Sequence, residues 1–148
     1  MFTQLLELAD ALRHKSRARH WPEDQAQGRR GEDIAHRFLA RAGFIIVARN
    51  HRMESGGGEI DLVGWDRDTL VFIEVKARQS EEFGAPDRAI GAEKLRHMER
   101  AGRDYARQAQ VSWDKVRFDI VNVLLRTPPA VAHLRDVLPA VRDVSRGG

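Results

Sequence analysis

The chain has 148 residues, 42% hydrophobic and 32% charged, which suits one globular domain with a core large enough to fold alone. It has no cysteine, so disulfides, thiolate nucleophiles and Cys-ligated zinc are excluded, and its six histidines (14, 20, 36, 51, 97, 133) show no ligand spacing such as HxxxH. The net charge is +3, and the 25 basic residues are mostly Arg, which favours partners bearing phosphate.

Residues 2–14 predict a short amphipathic helix with Phe2, Leu5, Leu6, Ala9 and Leu12 on one stripe. Residues 13–20 are basic, Trp21-Pro22 is expected to break the helix, and 22–28 reads as a linker. Residues 1–27 are therefore an appended element, either packed on the domain or acting as an arm toward a membrane surface or nucleic acid. The first residues lack a basic n-region and carry Glu7 and Asp10, so a secretory signal is not expected. No apolar run reaches the length of a membrane span, and the cytoplasm is the expected location.

The domain proper is expected over 28–144. Gly31–Ala42 predicts a helix, with Ile34, Ala35, Phe38, Leu39 and Ala42 at core spacing. On a wheel of about 100° per residue, Glu32 borders the buried stripe and Asp33 faces solvent. Gly43 ends this helix and Phe44–Arg49 reads as a strand. Met53–Gly58, with three consecutive glycines, reads as a turn; no helix follows to make it a phosphate cradle.

Gly58–Arg78 predicts a β-hairpin around the loop 66–69. Pairing Trp65 with Leu70, or Asp66 with Thr69, sets Asp61 opposite Glu74 and Glu59 opposite Lys76, all four on one face. Opposed Cβ atoms on antiparallel strands lie only about 5 Å apart, and like charges there repel. Two carboxylates so close require a cation or a shared proton. Few hard oxygen donors, with room for water and phosphate oxygens, suit magnesium, and a nearby Lys adds positive charge for a phosphate. The pattern points to metal-assisted phosphodiester hydrolysis.

Gln79–Arg88 reads as a loop. A helix is predicted over about 89–109, with Leu95, Met98, Gly102, Tyr105, Ala106 and Ala109 inward. Arg96, Arg100, Arg103 and Arg107 share another face, either a solvated surface or a phosphate-contacting stripe, and Lys94 lies on the opposite flank. Val116–Leu125 reads as a strand stopped by Thr127-Pro128-Pro129. Residues 130–144 are ambiguous between helix and strand, and 145–148 read as a disordered tail. The order α, α, β, β, β, α, β makes an α/β domain with a mixed sheet flanked by helices.

Gly28-Arg-Arg-Gly-Glu32, Arg49-Asn50, Gly58-Glu-Ile-Asp-Leu-Val63, Phe72-Ile-Glu-Val-Lys-Ala-Arg78, Phe83-Gly84 and Arg117-Phe-Asp-Ile-Val121 together resemble the YraN family. That family is similar to the PD-(D/E)XK nucleases and, among them, to archaeal Holliday junction resolvases. The resemblance covers about Gln27 to Leu125. It implies a restriction-endonuclease-like fold: a helix, an antiparallel three-stranded meander, a second helix, then a strand joining in parallel. It also implies that Asp61 and Glu74 hold Mg²⁺, with Mn²⁺ as substitute, and that Lys76 assists the attacking water. Glu32 matches the acid of the first helix, and Lys94 loosely matches a basic position on the second. Ile60 stands where the motif would have Pro. The implied partner is DNA, structured or branched, and a two-fold junction would call for a homodimer. Two other readings stay open: a non-catalytic nucleic-acid-binding module, and a protein-interaction protein docking through its N-terminal helix.

Overall fold

The computed structural model describes residues 21–53, 58–79 and 91–138. The helix expected at 2–14, most of the 79–88 loop and the 145–148 tail lie outside them. Helix α1 spans Trp21–Arg41, β1 Ile45–Arg52, β2 Glu59–Asp66 and β3 Thr69–Arg78. Helix α2 follows at Ala92–Gln108, then a short 3₁₀ turn at Trp113–Lys115, β4 at Val116–Leu124 and β5 at Ala130–Leu134.

The strands form one sheet in sequential order, β1-β2-β3-β4-β5. Every neighbouring pair is antiparallel except β3 and β4, which run parallel. Only that pair needs a crossover, and α2 supplies it. This is the meander-plus-parallel-strand arrangement of a restriction-endonuclease-like domain.

One core layer joins α1 to the sheet: Ile34, Ala35 and Leu39 pack with Leu62, Val71, Ile73, Val121 and Val123. The other joins α2: Met98, Ala101 and Ala106 pack with Ile60, Val63, Leu70, Phe72 and Phe118. The expected inward stripe of α2 holds except at its end. Ala109 is exposed at the helix terminus, and Ala101 takes an unanticipated core position.

Helix α1 corrects the expected linker. Residues 22–28 are helical, and Pro22 falls in the first turn, where its missing N–H has no helical partner to lose. At the other end Phe44 N–H bonds to Leu39 C=O at 2.9 Å and Gly43 N–H to Ala40 C=O at 3.1 Å. Gly43 takes φ +98°, and this Schellman closure turns the chain into β1. The ambiguous 130–144 stretch begins as an edge strand, β5, paired antiparallel with β4.

Candidate functional site

The β2–β3 ladder has the predicted register, from Asp66 with Thr69 to Leu62 with Ile73, and stops there. Beyond it β2 stays paired with β1, His51 opposite Ile60 and Arg52 opposite Glu59. Over the same level β3 stays paired with β4, from Glu74 with Ile120 to Arg78 with Leu124. The sheet therefore forks between β2 and β3, and Asp61 and Glu74 sit just inside the fork. There a side chain takes over from the ladder: the Asp61 carboxylate accepts the Val75 backbone N–H at 2.8 Å.

Strict alternation does not survive in β2. Ile60 and Val63, three residues apart, pack in the α2 layer, whereas Leu62 between them packs in the α1 layer. An unusual backbone lies level with it on β1, while the β1–β2 register itself shifts only between Ile46 and Ala48. Asn50, between the partners of Ile60 and Leu62, takes φ +50°, a left-handed conformation that Asn tolerates better than most residues. The slip falls at Asp61.

The fork opens into a cavity of about 750 Å³ that receives Glu32, Glu59, Asp61 and Glu74 together with Arg29, Arg52 and Lys94. The acids thus converge, though by a route that period-2 extrapolation did not contain. The predicted Glu59–Lys76 pairing is corrected: Glu59 instead bonds Arg52 at 3.2 Å across β1 and β2. Lys76 is half-buried, in register with Asn122 on β4, and is not among the lining residues.

Glu32 faces the cavity because α1 sits hard against β3. A Cβ on Gly31 would lie 2.6 Å from the Ala77 Cβ, closer than any side chain allows. The bare glycine permits the contact and places the next residue at the fork. The Glu32 carboxylate is then held by the Asn50 amide at 3.2 Å and Arg49 at 3.4 Å. Asp33 is exposed and pairs with Arg49 at 2.8 Å, so the predicted phase of the two acids is correct.

The electrostatics of the fork are strained. Burial, then the Glu74 charge, pushes the Asp61 carboxyl up to about 8, against the opposing pull of the Val75 N–H and Lys94. Glu74 keeps one buried oxygen, Oε2, without a hydrogen bond, and Lys94 Nζ lies 3.3 Å from it. Among the described residues no three His, Asp or Glu side chains form a preformed cage. Asp61 and Glu74 nevertheless supply the oxygen donors that magnesium takes from protein, one or two carboxylates with water and phosphate completing the shell.

The arginine stripe is divided and lies away from this lining. Arg103 bonds Glu99 at 3.2 Å and stacks on Trp113, 4.4 Å from the ring centre, while Arg96, Arg100 and Arg107 are exposed. Sequence reasoning passed over Gln25, Gly28 and Arg29, which line the cavity with Glu32 at i, i+3, i+4 and i+7 of α1. Helical spacing carried back from Glu32 reaches them once Pro22 stands in a first turn rather than at a stop. Asn50 and Arg52 were likewise missed.

Fold and fork define an α/β domain of the restriction-endonuclease-like class with an acidic cleft. Residues 31–123 match the model of the "Uncharacterised protein family UPF0102". A UPF0102 protein of Solibacter usitatus is 49% identical over 135 residues, covering 91% of this chain and 98% of the relative. Its counterpart in Koribacter versatilis is 39% identical, covering 91% and 93%, and one in Rhodococcus opacus is 38% identical, covering 75% and 94%. The chain belongs to the UPF0102 family, the YraN family anticipated from its motifs. No helix among the described residues is long and apolar enough to cross a membrane.

Proposed function

We propose that the protein is a metal-dependent endonuclease that hydrolyses phosphodiester bonds in DNA. One observation carries this reading: Asp61 and Glu74 meet in a cavity where burial, and then the Glu74 charge, drives the Asp61 carboxyl to about 8. Such a pair is relieved by a proton or by a cation, and an acid so perturbed in a cleft supports the cation. With the Asp61 proton in place, three carboxylates (Glu32, Glu59, Glu74) stand against three cations (Arg29, Arg52, Lys94), so the lining has no net positive charge to draw a phosphate. A divalent ion supplies it.

In this reading Asp61 and Glu74 hold Mg²⁺, or Mn²⁺ in its place. The ion would polarise the phosphoryl oxygens and lower the pKa of water. Lys94, 3.3 Å from Glu74, pairs with that carboxylate and presents positive charge to the phosphate. Glu32, fixed by Asn50 and Arg49, accepts a hydrogen bond from water at the rim. Lys76 is assigned the orientation of the attacking water, and that assignment is the one the cavity lining supports least. For that reason a second reading is kept, a non-catalytic nucleic-acid-binding module on the same fold.

The test is a panel of duplex, flap, junction and single-stranded DNA incubated with protein in Mg²⁺ or Mn²⁺. Cleavage of at least one substrate, lost in chelator and in Asp61→Asn, is expected. Cleavage undiminished in Asp61→Asn contradicts the site. Binding without cleavage on every substrate favours the binding module instead.

A further inference from the structure

Beside the acids, the cavity lining carries a second set of side chains with a different chemistry. Gln25, Gln27 and Arg29 come to it from α1, and Asn50 and Arg52 from β1. Three of these five are neutral carboxamides. Phosphate recognition asks for charge, which an amide does not offer. A carboxamide presents a donor beside an acceptor, the pattern that matches base edges and sugar hydroxyls. The two guanidiniums supply forked donors for a phosphate in the same reach.

The arrangement is held open and in place. Gly28 lies between Gln27 and Arg29, and a Cβ there would meet nothing within 4 Å, so the backbone is accessible to a flat group. Arg52 is tied to Glu59 at 3.2 Å, and Asn50 to Glu32 at 3.2 Å, which orients both side chains before any ligand arrives. The volume of about 750 Å³ falls in the range of sites that enclose a small molecule or one of its units. The recess lies within the end of the sheet, between the first half of α1 and Lys94 of α2. Paired bases have their Watson–Crick edges occupied, and a protein that reads them inside a recess must take the nucleotide out of the stack or accept one already unpaired.

We propose that the α1–β1 wall seats an unpaired nucleotide next to the scissile phosphate, so that the substrate is DNA with a single-stranded segment at the fork. The proposal rests on the nuclease reading for the position of the scissile phosphate. It does not rest on that reading for the binding itself, and this lets the two be tested apart. Gln25 and Arg29 are the residues to change. Both are exposed on α1 one turn apart, and alanine favours the helix at each.

Fluorescence anisotropy in Ca²⁺ compares a single strand, a flap and a blunt duplex of one sequence. Wild type is expected to bind the single strand and the flap about tenfold more tightly than the duplex. The Gln25→Ala, Arg29→Ala double variant is expected to lose that preference and, with the Arg29 phosphate contact gone, to bind duplex more weakly as well, while its circular dichroism and calorimetric Mn²⁺ titration match wild type. Equal affinity for the three DNAs, a preference for duplex, or a preference that survives in the double variant overturns the proposal. If Mn²⁺ fails to bind wild type while the preference is present and is lost in the double variant, the wall stands and the metal reading fails. If Mn²⁺ binds and the preference is absent, the wall fails alone.

Discussion

Asp61 and Asp119 are aspartates on inner strands of one sheet, and their surroundings are opposite. Asp119 is fully buried. Arg117 holds it by two bonds of 2.9 and 3.0 Å, His133 Nε2 lies 2.8 Å away, and the Asp136 backbone N–H donates at 3.0 Å. Arg117 also reaches Asp66 at 3.0 Å, so the cluster ties the β2–β3 turn, β4 and β5 together. Asp61 is less buried and worse served, with one backbone N–H and the charges of Glu74 and Glu32 working against it. Burial alone therefore does not mark a site. A buried acid whose partners close around it holds the fold, and an acid left among other acids stays short of partners.

The largest expected effect falls on the satisfied acid. Asp119→Ala leaves Arg117 with Asp66 alone, takes the carboxylate from His133 and the Asp136 N–H, and should cost about 3–5 kcal/mol in a denaturant titration. A loss below about 1 kcal/mol would erase the contrast between the two aspartates.

Asp61→Asn should do the reverse in metal-free protein. The folded-state carboxyl titrates near 8 against an ordinary 3.8, so the folded chain binds the extra proton between those values. Stability of wild type in chelator should then fall as pH rises from about 4 to about 8 and level off above. The amide removes that slope and can still accept the Val75 N–H. At pH 8.5 the variant should be more stable by on the order of 2 kcal/mol. Parallel pH profiles for the two proteins would remove the electrostatic argument for a cation.

Smaller effects sharpen the comparison at neighbouring positions. Both amide atoms of Asn122 are buried without a hydrogen bond, so Asn122→Leu should raise stability by about 1 kcal/mol. A loss of that size would mean that the amide has a role at the neighbouring Lys76. Smallest is the α2 stripe. Reversing Arg100 and Arg107 should lower the salt-dependence slope of DNA binding by about one unit for each phosphate no longer neutralised. An unchanged slope makes this a solvated face.

Local chemistry made much of this legible. The hairpin register followed from alternation and a two-residue turn, and the phase of Glu32 and Asp33 from helical spacing. What stayed hidden was set by distant parts of the chain. The slip at Asp61 lies level with Asn50, whose left-handed backbone local spacing does not foretell. Lys76 followed the strand phase of Glu74, but the fork, not the phase, decides which side chains line the cavity. The start of α1 was lost because Pro22 breaks a helix interior yet suits a first turn. Strand β5 is half-buried throughout, so it has no alternation to read. The Arg117 and Asp119 side chains share a face by spacing, but their partner His133 comes from a strand that spacing could not place.

The central claim is that Asp61 and Glu74 share one divalent ion. Calorimetric titration of Mn²⁺ at pH 7, in two buffers of different ionisation enthalpy, tests it most directly. Wild type should bind one ion and release close to one proton, because the Asp61 carboxyl is mostly protonated at that pH. Asp61→Asn should lose the binding, and Lys76→Ala should keep it. An Asp61→Asn protein that binds Mn²⁺ as wild type does, or a wild type that binds none, contradicts the account.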